Sequence, residues 1–284
     1  MFSIHSDFTK NKMNPQIQTP KVTKATRAPM RVLVTSGYEP SVGKTTLIRH
    51  LMLPLLDSLY ANIKHVVFSD DHLIEKPDLA HETHYSKVLA HIFNTKKGEC
   101  TIVEVSNSKF DDMMGRMEHG GSDISVSFNK IIVLVSYAGF RSKGTVAMFG
   151  SLIKTGIDMS RVHVVFNGIE EHEAELMRDT KFKEFIEWTR LMGINVVETP
   201  VMRSEIYAEL KKRPGRQFEI GYLGYMTPDY FKNKLTEAYQ LNDPALTEKA
   251  TNEANIYTEA RATAPVFKEI FNAIFMKRKE RVYL

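Results

Sequence analysis

From Arg31 onward, short apolar runs alternate with stretches in which apolar residues recur every three or four positions. Arg31–Thr35 (RVLVT), His65–Ser69 (HVVFS), Thr101–Val105 (TIVEV), Ile131–Ser136 (IIVLVS) and Val162–Asn167 (VHVVFN) read as strands, and Asn195–Glu198 (NVVE) as a last one. Continuous apolar runs of this kind suit a parallel sheet covered on both faces. Between them, Thr45–Leu56 carries Leu47, Ile48, Leu51 and Leu55 at helical spacing, and Leu79–Phe93 predicts a helix burying Val88, Leu89, Ile92 and Phe93. Further helices are expected over 143–155, 171–192 and near 204–211. This alternation predicts an α/β fold: an open, doubly wound, mostly parallel sheet with helices on both faces.

Beyond about Gly221 the pattern changes. Tyr222–Ala262 is polar, with no clear strand, and predicts helices on the flank of the same domain. The chain then shows an apolar stripe of Phe267, Ile270, Phe271, Ile274 and Phe275, followed by Lys277, Arg278 and Lys279. Such a stripe docks on the domain in most proteins, while the basic run behind it also suits a membrane-surface helix. Docking is the preferred expectation.

Composition adds bounds to this pattern. A chain of 284 residues with 43% hydrophobic content holds enough material for one sizeable core. The net charge of +4 is concentrated in residues 1–30, where Lys10, Lys12, Lys21, Lys24 and Arg27 face a lone Asp7. Of 38 basic and 34 acidic residues in all, 33 of each remain elsewhere, so the body is not basic enough to bind nucleic acid by charge alone. The organisation expected is a flexible basic arm over 1–30, a main domain over 31–220 and a helical extension over 221–284. Loose contact of the arm with DNA or anionic lipid is the alternative for that segment. The single Cys100 allows no internal disulfide, which favours a reducing cytoplasm. No apolar run approaches the roughly 18 residues that a membrane span requires.

The clearest chemistry lies where the first strand meets its helix, in TSGYEPSVGKTT. In a phosphate-binding loop, successive backbone N–H groups wrap an anion and the helix N-terminus adds its positive end. The amides from Val42 to Thr46 are expected to form such a cage, with Gly43 allowing close backbone approach. Lys44 is expected to reach the β- and γ-phosphates, and the Thr45 hydroxyl to ligate Mg²⁺. The standard spacing requires a glycine at position 38, where this chain has Tyr38, with Gly37 one place early.

An acid at the end of a neighbouring strand is needed to hold the Mg²⁺ shell, and TIVEV supplies Glu104. Asp70 and Asp71 follow the second strand; Asp70 is the candidate for orienting the attacking water or ligating the metal, and a solvated turn is the plain alternative. Asn167, at a strand end, is a candidate to read a base edge. Asn167-Gly168-Ile169-Glu170 echoes a guanine-reading pattern but lacks its lysine, which favours ATP and keeps GTP as the alternative. The stretch from Thr199 to Ser204 is expected to loop over the base, with Arg203 stacking there or lying on the surface. His81 and His84 have the wrong spacing for a zinc helix, and Trp188, Phe182, Phe185 and Met192 read as core.

Three stretches, SVGKTTLIRHLMLPLL, RVHVVFNGIEEHEAEL and SEIYAELKKRPGRQFEI, together resemble the StbB family of plasmid-stability proteins, in the ParA/MinD-like branch of P-loop ATPases. The resemblance spans roughly 31–220. The loop of ParA and MinD proteins reads Lys-Gly-Gly-x-Gly-Lys-Ser/Thr, and Glu39 stands here at its first lysine, the residue that in those proteins reaches a partner's nucleotide. The resemblance implies that this lysine is missing from the StbB family as well. It implies a bacterial cytoplasmic ATPase acting with a small plasmid-encoded DNA-binding partner in plasmid maintenance and conjugative transfer. It also puts the nucleotide contacts on Gly43, Lys44, Thr45 and Thr46, the strand-end acid on Glu104, and suggests a nucleotide-dependent homodimer with DNA contacted indirectly. The basic arm and Glu104, in place of the usual aspartate, depart from the pattern. Glu39 and Glu104 motivate a second expectation, a nucleotide-dependent binding module with little or no hydrolysis.

Overall fold

The computed structural model describes residues 24–39, 43–70, 79–120, 127–139, 142–176, 180–213, 219–224, 226 and 228–276. Residues 1–23, Val42, Asp71 and the basic run 277–279 therefore lie outside the described residues.

Seven strands form one sheet in the order β3-β2-β4-β1-β5-β6-β7. They are β1 (Met30–Thr35), β2 (Asn62–Phe68), β3 (Leu79–Glu82), β4 (Glu99–Val105), β5 (Lys130–Val135), β6 (Val162–Ile169) and β7 (Asn195–Met202). Every pairing is parallel. The strand order reverses at β1, which lies between β4 and β5, and the C-terminal side of such a reversal is where open α/β sheets hold ligands.

Alternation along each strand divides the core between two faces. Val32 and Val34 of β1, Cys100 and Ile102 of β4, and Ile132 and Leu134 of β5 share one buried cluster. Helix α1 (Lys44–Leu47), a π-helical segment (Ile48–Met52) and α2 (Leu53–Asp57) run on continuously over that face. Leu33, Val66, Phe68, Val103, Val133 and Phe166 point the other way. They are covered by α3 (Tyr85–Phe93), α4 (Phe110–His119) and α5 (Lys143–Lys154), with α6 (Glu171–Leu176) and α7 (Thr180–Leu191) beyond them. Trp188, Phe185 and Met192 pack partly buried against this second cluster, and the Phe182 side chain lies outside the described residues.

The chain continues through α8 (Ile206–Lys211), α9 (Ile220–Leu223), α10 (Pro228–Gln240) and α11 (Pro244–Phe275). The helix α11 is 32 residues long and starts with Asp243, whose side chain accepts from the amides of Ala245 and Leu246. Its stripe of Phe267, Ile270, Phe271 and Ile274 is buried in the first cluster, so the C-terminal helices share the core of the sheet. Among the described residues no helix is long and apolar enough to cross a membrane.

Four expectations are corrected. The helix expected over Leu79–Phe93 begins only at Tyr85, because Leu79–Glu82 pairs with β2 as an edge strand. Phe93, expected to be buried, is exposed at the end of α3. The single helix expected over 171–192 is two, α6 and α7. The loop expected over Thr199–Ser204 is strand as far as Met202, because a bulge between Val165 and Ile169 keeps β7 paired beyond Pro200.

Candidate functional site

The site lies at the C-terminal ends of β1, β4, β5 and β6. After Thr35 the chain turns tightly: the Glu39 amide donates to the Ser36 carbonyl at 3.0 Å, and the Ser36 hydroxyl donates to the Glu39 carbonyl at 2.7 Å. The helical run then opens at Gly43, which has φ 76°. The left-handed conformation favours glycine there, and a Cβ would stand 2.6 Å from Nδ2 of Asn167 and displace that amide.

Lys44 extends back across the turn. Its Nζ donates to Ser36 Oγ and to Asn107 Oδ1, each at 2.9 Å. Burial pulls its pKa below the usual lysine range, and the charge of Glu104 opposes that shift. Asn107 opens the short 3₁₀ turn Asn107–Lys109 that follows β4, and its Nδ2 is buried with no partner among the described residues. A buried N–H donor of this kind needs an acceptor.

Thr45 and Glu104 meet directly. The Thr45 hydroxyl donates to Glu104 Oε1 at 2.6 Å, which leaves the threonine lone pairs available to a cation. The other carboxylate oxygen, Oε2, is 3.0 Å from Nε2 of His65 on β2. Burial alone would raise the Glu104 pKa; the His65 hydrogen bond and charge, the Thr45 hydroxyl and the Lys44 charge outweigh it and hold the group below the usual carboxylate range. Glu104 is thus an ionised, buried acid.

Asp70 leaves β2 at the same edge and is paired with Lys109, Oδ1 to Nζ at 2.6 Å; the Lys109 ammonium also lies over the Phe68 ring. One turn after β4 therefore contacts both Lys44, through Asn107, and Asp70, through Lys109.

On the other side of Gly43 lies a cleft of about 630 Å³ lined by Glu39, Thr46, Ser136, Gly139, Asn167, Arg203 and Tyr207 among others. The size is within the range of small-molecule sites. Asn167, expected at a base edge, has its amide against Gly43 while lining this cleft. Arg203 sits at the rim, where Nη1 donates to Glu170 Oε1 at 2.7 Å. Glu39 points toward the exit of β5: its Oε2 accepts from the Ser136 amide at 3.2 Å, and its Oε1 lies against Gly139, where any Cβ would collide with it. Burial raises the Glu39 pKa, against the Ser136 hydrogen bonds.

Of the residues expected from sequence, the structure gathers Gly43, Lys44, Thr45, Thr46, Glu104 and Asn167 around one strand–helix junction. Val42 lies outside the described residues. Asp70 and Arg203 are each engaged in an ion pair at the edge of the same region. Ser36, His65 and Asn107 were not singled out in the sequence. Ser36 directly follows β1 and Asn107 lies two residues after the end of β4, which was their one available signal; His65 looked like an ordinary strand residue.

Among the described residues no three His, Cys, Asp or Glu side chains converge on a point. A divalent ion would therefore depend on Thr45 and Glu104 together with oxygens of a bound ligand. The pieces present fit such a group: a left-handed glycine at a helical start, a hydroxyl–carboxylate pair, an unsatisfied amide donor and an adjoining cleft. A scan of the chain against protein-family models finds no match, and a search of curated proteins finds none either.

Proposed function

We propose that this chain is a P-loop ATPase of the ParA/MinD-like type, binding and hydrolysing Mg-ATP as a switch. The observation that carries the reading is the Thr45–Glu104 hydrogen bond beside the Gly43-led helical start, at the reversal of strand order. In this reading the amides after Gly43 receive phosphate oxygens, and Lys44 exchanges Ser36 and Asn107 for them. Thr45 and Glu104 hold a magnesium ion, which when bound supplies positive charge to the phosphate chain. Thr46 and Asn167 flank the nucleotide, Arg203 covers the rim, and Asp70 orients the attacking water.

The likeness of 41–56, 161–176 and 204–220 to StbB proteins supports a role in plasmid maintenance and conjugative transfer in the bacterial cytoplasm. A small DNA-binding protein is the partner in that reading, with a nucleotide-dependent homodimer as the working form. The missing lysine after Asn167 supports ATP over GTP.

The test is phosphate release with Mg-ATP, alone and with partner and DNA. Lys44→Ala is expected to lower turnover on the order of 10²-fold or more. Wild-type turnover no faster than that of the variant overturns the hydrolytic reading. A second reading, a nucleotide-dependent binding module, is favoured by the Asp70–Lys109 pair, which engages the candidate water-orienting acid. Tight ATP binding with the γ-phosphate intact after long incubation selects it.

A further inference from the structure

We propose that His65 is a positioning residue for Glu104, fixing the carboxylate so that Oε1 stays on Thr45, the pair that would hold a divalent ion. The inference rests on the nucleotide-binding reading above.

In the parallel β2–β4 ladder Val67 is the register partner of Glu104, so His65, two residues earlier, lies diagonally across on the same face. Its Nε2 stands 3.0 Å from Glu104 Oε2, with side-chain exposures of 4% for His65 and 7% for Glu104. An ionised carboxylate only accepts hydrogen bonds, so Nε2 carries the proton and donates. The opposite oxygen accepts from Thr45 at 2.6 Å. The acid is thus held at both ends, by the neighbouring strand and by the first turn of the helical run.

This clamp accounts for glutamate at a position where the resembling ATPases have aspartate. The extra methylene lets one carboxylate span the gap between β2 and the helical start, but it adds a rotatable bond. A donor on Oε2 removes that freedom and leaves Oε1 directed at Thr45. Outer partners that orient a ligating group in this way tune metal affinity by 10–100-fold. A single buried hydrogen bond contributes little net stability. An orienting role gives a physical reason for a histidine buried against Glu104.

The test is titration of Mg²⁺ into protein with N-methylanthraniloyl-ADP, beside nucleotide binding in EDTA, for wild type, His65→Leu, His65→Gln and His65→Asn. Thermal melts verify folding. His65→Leu is expected to raise the Mg²⁺ concentration at half-effect by about tenfold, with binding in EDTA unchanged. Glutamine, whose amide reaches as far as Nε2, is expected to restore the dependence to within about threefold; the shorter asparagine is not. In a Glu104→Gln background the His65→Leu effect is expected to vanish. Wild-type Mg²⁺ dependence in the leucine variant overturns the inference, as does equal weakening with and without Mg²⁺. Should the leucine variant not fold, wild-type dependence in His65→Asn overturns it in the same way. Wild type that binds no nucleotide in either condition overturns the functional reading itself, and this inference with it.

Discussion

Gly43 sits at φ 76° with Asn167 pressed against it, so a methyl group there meets both backbone strain and a collision. Left-handed geometry costs an L-residue roughly 1–2 kcal/mol, and the displaced amide adds to that. Gly43→Ala is expected to lower unfolding free energy by about 2 kcal/mol, read from urea denaturation, and to weaken N-methylanthraniloyl-ADP binding. At this scale the sequence was informative where the candidate site is contiguous: Gly43, Lys44 and Thr45 are consecutive, at the spacing of a phosphate-binding loop. Glu104 was visible as an acid closing an apolar run. His65 and Asn107 were not, because what marks them is a diagonal register and a turn that closes over Lys44, both set by the sheet. Glu39 was legible as a reversed charge, but its engagement of the β5 exit follows from Gly139 leaving room for it.

Elements follow the same division. The five central strands stood out because each is apolar on both faces, the mark of a covered parallel strand. The strand β3 is only four residues long and half-buried throughout, so its residues fit a helical period as easily as an extended one. The π segment Ile48–Met52 was equally hidden: it shifts the helical face so that His50 and Met52 are buried while Leu55 is only partly covered. The apolar stripe of α11 was plain in sequence, but what it rests on was not. Phe267, 1% exposed, stacks on Tyr207, which lines the cleft, so the C-terminal helix buttresses one cleft wall. Phe267→Ala is expected to cost about 3–5 kcal/mol in a urea melt. It is also expected to weaken ligand binding, since Tyr207 loses its support. Conversely, Leu241→Ala, at an exposed site near the α10–α11 turn, is expected to stay within about 0.5 kcal/mol of wild type in the same melt.

At the scale of the whole molecule, two histidines far apart in the chain but buried on the same face of the sheet contribute an acid-sensitive component of stability. His50 is pushed down to about 4 by burial and the Arg49 charge, and His163 to about 3 by burial and the Lys130 charge. His163 Nε2 is 3.0 Å from Lys130 Nζ and accepts from it, and Nδ1 of each histidine is buried without a partner among the described residues. Both rings are therefore neutral in the fold. Above an unfolded value near 6.5 neither state binds the proton, and these groups leave stability unchanged. Below it the unfolded chain gains two protons that the folded chain refuses, so stability falls with pH until the folded values are reached. The slope is about 1.4 kcal/mol per pH unit for each ring, and going from pH 7 to pH 5 is expected to cost about 3–4 kcal/mol. Glu39 works in the opposite direction: its raised folded value relieves a destabilisation as pH falls, though only near the carboxylate range. Glu104, with a lowered value, withdraws stability only once pH falls below about 4.5, outside this window. Urea melts at pH 7 and pH 5 measure the loss. In a His50→Gln/His163→Gln variant, whose amides do not titrate and still offer an acceptor to Lys130, most of the difference between the two pH values is expected to disappear. A variant that loses as much stability as wild type between those pH values would assign the acid sensitivity to other groups.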